Sequence, residues 1–186
     1  MIHAYGSVDG VDFLSLSRIS PAFGYLVNSQ WFIRAQSDFS HKTFDQYEQR
    51  DGNAFAASLY LYHFIDRTRF YISAQAQWKD ENANDDVYAY QASTLKLQLK
   101  RSWSFSGYKM TGRILGRYEK RQYEGVRRSI NAARADDRYR LALESSIQLA
   151  KNWQLTSSVQ ADFFNSNVTA VDYNQKRIRF GLSWEF

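Results

Sequence analysis

The chain has 186 residues, 44% of them hydrophobic, a formal net charge of +5 and a mean hydropathy of −0.55. No apolar stretch approaches the roughly 20 residues that a membrane-spanning helix requires, so a helical membrane protein is excluded. Cysteine is absent, which excludes disulfides and cysteine-based metal sites.

Apolar and polar residues alternate along most of the chain, which is the period of β-strands. In chain order, the alternating segments are 2–8, 11–26, 30–41, 53–65, 70–79, 88–103, 108–121, 139–149, 153–164 and 177–186. The first of them is the weakest. Within 11–26 the apolar phase of Leu14 and Leu16 differs from that of Ile19 and Phe23, which predicts a bulge or bend near Ser17–Pro21.

The connections between these segments alternate in length. Short turns are predicted at 28–29, 66–68, 106–107 and 151–152, and long polar loops at 42–52, 80–87, 122–136 and 165–172. Short periplasmic turns and long extracellular loops are typical of outer-membrane barrels. The sequence therefore predicts an all-β fold, a transmembrane antiparallel up-and-down β-barrel of about eight to ten strands. Residues 1–186 form one barrel domain or the C-terminal part of a larger barrel. No signal peptide follows Met1, which indicates a mature chain or a piece of a longer one.

Aromatic residues make up 17% of the chain and collect near strand ends at two levels. We expect these to be the two membrane interfaces, where aromatic girdles flank the lipid-facing band of a barrel. A soluble sandwich with an aromatic core is the alternative. The predicted interface residues are Trp31, Phe39, Trp78, Trp103, Tyr118, Tyr139, Trp153, Phe163 and Trp184, with Phe70, Tyr108 and Phe186 at the periplasmic level.

Basic residues dominate the strand face opposite the apolar one. They are Arg34, Lys79, Lys96, Lys100, Lys109, Arg113, Arg117, Arg121, Arg138, Arg140, Arg177 and Arg179, against the acids Asp38, Glu119, Glu144, Asp162 and Glu185. One interpretation is that these charges pair across strands and plug a narrow barrel. The other is that the acids are too few to pair every base, so the remaining bases face water, an anion or an anionic cargo.

Catalytic and metal sites find little support. Of the three histidines, His41 lies near the extracellular end of its strand, but Asp38 and Ser40 have the opposite strand parity, which disfavours a local triad. The acids Asp80, Glu81, Asp85 and Asp86 share one predicted loop, where solvated charge or contact with lipopolysaccharide is favoured over a cation site. The bases are dispersed rather than clustered, which argues against nucleic acid. We expect no enzymatic activity, no metal and no cofactor.

The C-terminal residues carry a family resemblance. Residues 177–186, reading RIRFGLSWEF, look like the insertion signal of outer-membrane barrels, carried by Phe180, Leu182, Trp184 and Phe186. Residues 136–186 resemble the closing strands of barrels that follow tetratricopeptide-type domains, namely the surface lipoprotein assembly modifiers and the barrel ends of exopolysaccharide secretion proteins. The helical repeats of those families are not found in this chain, so the resemblance does not identify a cargo.

These observations predict a transport role in the outer membrane. The leading hypothesis is a pore or export conduit with a basic lumen, and the alternatives are an anchoring barrel filled by its own side chains or one part of a multi-chain complex. The expected partners are outer-membrane lipid and lipopolysaccharide, the barrel assembly machinery and a periplasmic or barrel-forming protein. An anionic cargo also fits.

Overall fold

The computed structural model describes residues 2–8 and 11–184 as an all-β chain. Its strands are β1 (Ile2–Val8), β2 (Val11–Ile19), β3 (Ala22–Leu26), β4 (Trp31–Phe44), β5 (Gly52–Asp66), β6 (Phe70–Ala83), β7 (Tyr90–Phe105), β8 (Tyr108–Arg127), β9 (Ala132–Ala150), β10 (Trp153–Ser166) and β11 (Tyr173–Trp184). Single 3₁₀ turns occupy Glu48–Arg50 and Thr169–Val171. Within the described ranges, no helix has the length and apolar character needed to cross a membrane.

The strands form one antiparallel up-and-down sheet. Its order is β1-β2-β4-β5-β6-β7-β8-β9-β10-β11, and β3 pairs with β4 beside β2. From β4 to β11 every neighbour in the sheet is also a neighbour in sequence, so no crossover connection is needed. Strands β1 and β11 form the two edges of the described sheet. The all-β antiparallel prediction is confirmed, and closure into a barrel stays a prediction.

Strands β2 and β3 behave as one strand interrupted at Ser20 and Pro21. The register against β4 is the same on both sides of the interruption, since Ile19 faces Phe39 and Ala22 faces Gln36. A bulge is therefore absent, and the irregularity within the predicted range Ser17–Pro21 is this interruption of the strand. Proline lacks the N–H that a continuous ladder needs, but the Pro21 carbonyl still accepts a bond of 3.0 Å from the Ser37 amide.

Several strands extend further than the sequence predicted. Strand β4 reaches Phe44 and β6 reaches Ala83, so parts of the predicted loops 42–52 and 80–87 are strand. The predicted loop 122–136 is almost entirely strand, and four residues connect β8 to β9. Charged side chains conceal these extensions, because apolar alternation stops where the strand leaves the apolar environment.

The short turns have clear local causes. Ser106 and Gly107 have φ values of +50° and +83°, as a two-residue type I′ hairpin requires, and they connect β7 directly to β8. At the turn before β4, the Asn28 side chain accepts bonds of 2.8 and 2.9 Å from the amides of Gln30 and Trp31.

The two faces of the sheet differ in an unusual way. One face, here called the apolar face, presents large side chains that are exposed, such as Leu141 (61%) and Phe180 (78%). The opposite face, here called the polar face, holds buried carboxylates, such as Asp162 (1% exposed) and Glu119 (7%). A water-soluble sheet buries its large apolar side chains. A membrane barrel has the reverse arrangement, with apolar side chains outward and polar side chains inward.

Small residues make room for the long side chains on the polar face. Strand β5 places Ala54, Ala56 and Ser58 there, and β7 places Ala92 and Thr94 there, all buried. Their backbone partners on the adjacent strands include lysines and arginines. Since the aliphatic parts of those long side chains cover small neighbours, most buried residues of this sheet are small or charged, with Tyr90 as the large exception.

Candidate functional site

All ten bases predicted to line a lumen lie on the polar face. Alternation along the observed strands places Arg34, Lys96, Lys100, Lys109, Arg113, Arg117, Arg138, Arg140, Arg177 and Arg179 there. The structure adds residues to this face that were not predicted there. The extended strands contribute the bases Lys42 and Arg134 and the acids Glu81 and Asp136, and β2 contributes Arg18, all of them in ion pairs.

Two of the buried acids on this face are each shared by several bases. Asp162 contacts Arg140 at 2.6 Å, Arg177 at 3.1 Å and Arg138 at 3.7 Å, so one carboxylate joins β9, β10 and β11. Glu119 likewise pairs with both Arg117 and Arg121 of its own strand. Burial of these carboxylates is tolerated because each has more than one cationic partner.

Glu81 is at the centre of a second cluster, which connects three strands. Lys42 of β4 and Lys79 of β6 both donate to its carboxylate. The Tyr90 hydroxyl of β7 donates a third bond at 2.8 Å. Lys42 reaches Glu81 across β5, where small Ala54 lies between them in the sheet. The cluster therefore fixes the positions of β4, β6 and β7 relative to one another.

Five bases on the polar face have no acidic partner. In the part of the chain that the structure describes, no carboxylate lies within 4.0 Å of Arg34, Lys96, Lys100, Lys109 or Arg179. We call these five the unpaired bases. Arg34 and Lys100 instead lie over the rings of Tyr60 and Tyr71, each at 5.7 Å from the ring centroid.

Like charges face one another on the middle strands. Lys100 is directly opposite Arg113, Lys96 is opposite Arg117, and Arg117 is opposite Arg140. Directly opposed like charges destabilise a sheet unless something compensates for them. We call these five residues of β7, β8 and β9 the basic wall.

The acids near the basic wall compensate it incompletely. Glu144 binds Arg113 at 2.9 Å, and the acids Glu119 and Asp162 are each shared as described above. The basic wall also has unused hydrogen-bond donors, because the buried Nε atoms of Arg113 and Arg117 have no hydrogen-bond partner. This surface can bind an anion through both charge and hydrogen-bond donors.

The predicted interface aromatics occupy the apolar face of their strands. Cross-strand ring pairs form between Tyr118 and Tyr139, with a centroid distance of 4.8 Å, and between Trp153 and Trp184, at 6.1 Å. Trp153 and Trp184 lie at strand ends as predicted, whereas Tyr118 and Tyr139 lie near the middle of the extended β8 and β9. Trp31 instead contacts the His63 ring at 4.3 Å. The other predicted members, Phe39, Trp78, Trp103 and Phe163, also have apolar-face parity. Their place at a membrane interface stays a prediction.

The predicted insertion signal lies on the last strand. Phe180, Leu182 and Trp184 project from the apolar face of β11 with exposures of 78%, 59% and 56%. Phe186 and Glu185 lie outside the described residues. The signal function stays a prediction.

The acidic loop of the sequence analysis is not one loop. Asp80 and Glu81 belong to β6 and project from opposite faces, so they cannot chelate one ion with Asp85 and Asp86. Among the described residues, no group of three or more His, Asp or Glu side chains is arranged to hold a metal.

His41 has partners that the sequence analysis did not consider. As its parity predicted, it projects from the face opposite Asp38 and Ser40. On the apolar face its Nδ1 lies 3.0 Å from Asn53 Oδ1 and its Nε2 lies 3.4 Å from Thr43 Oγ1. The two-residue spacing of His41 and Thr43 was visible in the sequence, but the position of Asn53 depends on the strand register.

Comparison with protein families gives one match over nearly the whole chain. The model that describes the surface lipoprotein assembly modifier matches residues 2–186. The chain belongs to the surface lipoprotein assembly modifier family. The resemblance predicted from residues 136–186 is therefore confirmed, and it extends over the chain. No curated protein matches it.

Two solved structures share the fold of this family member. The copper transporter OprC has a TM-score of 0.51 at 9% identity, with 96% of this chain and 36% of that chain covered. The alcaligin outer-membrane receptor FauA from Bordetella pertussis has a TM-score of 0.50 at 9% identity, with 99% and 34% covered. The chain thus spans about a third of each of these outer-membrane barrels, whose likeness shows the fold alone.

Proposed function

We propose that this chain forms the wall of an outer-membrane β-barrel conduit whose basic lumen contacts an anionic cargo. In this proposal the polar face lines the lumen and the apolar face contacts lipid. The chain belongs to the surface lipoprotein assembly modifier family. The cargo that fits best is therefore a surface lipoprotein or an acidic segment of one.

The proposal rests on a difference in where the paired and the unpaired bases lie along their strands. The acids Glu81 and Asp162 neutralise bases in the halves of their strands next to the long loops, and Glu119 neutralises Arg117 and Arg121 near the middle of β8. The pair of Arg113 and Glu144 is an exception, since it lies in the halves next to the short turns. Four of the unpaired bases, Arg34, Lys100, Lys109 and Arg179, lie in the other half of their strands, near the short turns. A positive potential there attracts an anion entering from the periplasm.

A lumen filled by its own side chains is the alternative. The ion-pair clusters around Glu81 and Asp162 favour it, because they fix long side chains across several strands. Electrical conductance separates the two functions, since a filled lumen passes no current.

The test is ion selectivity of the purified protein in planar bilayers under a salt gradient. We expect a reversal potential that indicates anion preference. Changing Lys96, Lys100 and Arg179 together to Glu should weaken or invert that preference, because these bases have no acid to neutralise them. The matched control changes Arg67, Arg69 and Lys151 to Glu. It alters the net charge equally, but in the short turns.

Three outcomes contradict the proposal. Cation preference in the unchanged protein excludes an open basic lumen. Absence of any conductance favours the filled barrel. An equal shift of the reversal potential in the control variant places the selectivity at the short turns rather than at the bases of the polar face.

A further inference from the structure

The apolar face carries a chain of hydrogen bonds that the conduit does not use. It consists of Asn53, His41 and Thr43, at the ends of β4 and β5 that are joined by residues 45–51. Asn53 lies directly opposite His41 in the sheet. Thr43 follows His41 by two residues, so alternation places both on the same face. We propose that these three residues form a hydrolytic site for acyl esters of membrane lipids. This inference is independent of the proposed conduit.

The hydrogen bonds are compatible with one tautomer of the neutral imidazole. With Asn53 Oδ1 as the acceptor, the nitrogen 3.0 Å away, His41 Nδ1, is the protonated one. Nε2 is then the unprotonated nitrogen and can accept the Thr43 hydroxyl at 3.4 Å. A hydroxyl next to a base that a third group orients is the arrangement of an activated nucleophile, and its bonds are often long before substrate binds.

The surroundings of the site fit an ester with a long acyl chain. A cavity of about 520 Å³ is lined on the apolar face by Ser17, Ile19, Phe39, His41, Asn53, Phe55, Asp80 and Asn82. It combines an apolar side with amide groups and one carboxylate, and the Asn82 amide can donate to a carbonyl oxygen.

A second, apolar groove lies deeper along the same strands. It has a volume of about 920 Å³ and is lined by side chains that include Phe23, Ala35, Ala57, Leu59 and Trp78. Four residues separate Ser37, in its wall, from His41, which corresponds to about 13 Å along the strand. An acyl chain in this groove therefore places its ester group near the upper cavity and Thr43.

The reaction follows from these positions. Thr43 Oγ1 attacks the ester carbonyl carbon while His41 Nε2 takes the hydroxyl proton. The bond between that carbon and the alcohol oxygen then breaks, and His41 returns the proton to the leaving alcohol. Water, deprotonated by the same Nε2, then attacks the acyl carbon, the bond from that carbon to Thr43 Oγ1 breaks, and His41 returns the proton to Oγ1. The products are a fatty acid and the alcohol, with water as the co-reactant and no change of oxidation state.

The test uses the full-length protein folded in detergent micelles, with two probes. One is a p-nitrophenyl ester of a medium-chain fatty acid, and the other is a fluorophosphonate that forms a covalent adduct with an activated hydroxyl. We expect ester hydrolysis and an adduct that peptide mass spectrometry locates on Thr43. Thr43→Val and His41→Ala should each lower hydrolysis by roughly 10²–10⁴-fold. Thr43→Ser should retain hydrolysis, and Asn53→Asp should retain more of it than Asn53→Ala.

The matched control is His63→Ala. His63 projects from the same face near the opposite end of β5. This variant should leave hydrolysis unchanged. Heat-modifiable migration verifies folding in each case. Folded protein that neither hydrolyses the ester nor forms an adduct overturns the proposal, as does an adduct on Ser17 with undiminished hydrolysis in Thr43→Val.

Discussion

At the scale of single residues, Asp162 has the largest number of charged partners. It is 1% exposed and touches three arginines on two neighbouring strands. Removing its charge leaves those guanidinium groups facing one another in a confined space. They are about one-third exposed or less, so water screens part of the resulting repulsion.

We predict that Asp162→Asn lowers the free energy of unfolding by about 1–3 kcal/mol. The same change at Asp66 provides the control, because its pair with Arg69 is exposed and such pairs contribute about 1 kcal/mol or less. Urea unfolding from liposomes measures both values. Equal losses would show that Asp162 is not an electrostatic centre.

Leu143 tests the assignment of the apolar face. It is 54% exposed, near the middle of β9, and its cross-strand neighbours Ile114 and Val159 are also apolar. We predict that Leu143→Arg costs about 2–4 kcal/mol in unfolding free energy, since a charge then faces lipid. Ser146→Arg, on the polar face of the same strand, should cost much less. A similar cost at both sites would contradict the face assignment.

At the scale of elements, β5 acts as a spacer between two charged strands. Lys42 of β4 can reach Glu81 of β6 because β5 offers Ala54, which is 8% exposed, on that face. We predict that Ala54→Leu costs about 1–3 kcal/mol, because the larger side chain obstructs the ion pair.

Ala57→Leu is the matched control for this prediction. Ala57 lies on the exposed apolar face of the same strand, so a larger side chain there meets lipid and should change stability little. Unfolding in urea compares the two variants. A cost at Ala57 as large as at Ala54 would argue against β5 as a spacer.

Sequence periodicity predicted the positions of the strands but misplaced several ends. Alternation is visible where one face is apolar, as at Leu95 and Leu97, and it fades where both faces are polar, as at Asp80 and Glu81. Strand extensions at the long-loop ends are therefore predicted as loops. The phase change near Leu16 predicts a bulge or bend, whereas Leu14 and Leu16 lie on the polar face and the register is the same on both sides of Ser20 and Pro21.

The two candidate sites could be predicted from the sequence to different extents. Parity alone placed the basic residues on one face, because a strand fixes the direction of every side chain. Which bases are paired depends on register and on side-chain reach across small residues, and neither is visible in the sequence. The Asn53–His41–Thr43 chain was missed for the same reason, since Asn53 comes from a neighbouring strand.

At the scale of the whole molecule, the distribution of polarity argues for a membrane environment. Large side chains such as Leu95 (49%) and Leu97 (53%) are exposed, whereas the buried Thr94 lies on the opposite face of the same strand. In water, such an apolar face would be covered by another layer or would drive aggregation. In a bilayer it contacts acyl chains, and the polar face then lines an aqueous or protein-filled interior.

This arrangement predicts a period of two in chemical accessibility along β7. The chain has no cysteine, so a maleimide labels only the single cysteine that each substitution introduces. Cysteines at Leu95, Leu97 and Leu99 should resist a charged maleimide in intact membranes, because they face lipid. Cysteines at Thr94, Lys96 and Gln98 should react if water fills the lumen.

The pattern of maleimide reaction distinguishes an open barrel from a soluble sheet and from a filled lumen. A soluble sheet would show the reverse pattern, with the exposed leucine positions reacting and the buried Thr94 position protected. Protection at all six positions in membranes, with reaction after urea unfolding, would indicate a lumen filled by side chains or by a partner. Because the polar and apolar positions alternate within six consecutive residues, differences in depth along the strand cannot produce the expected pattern.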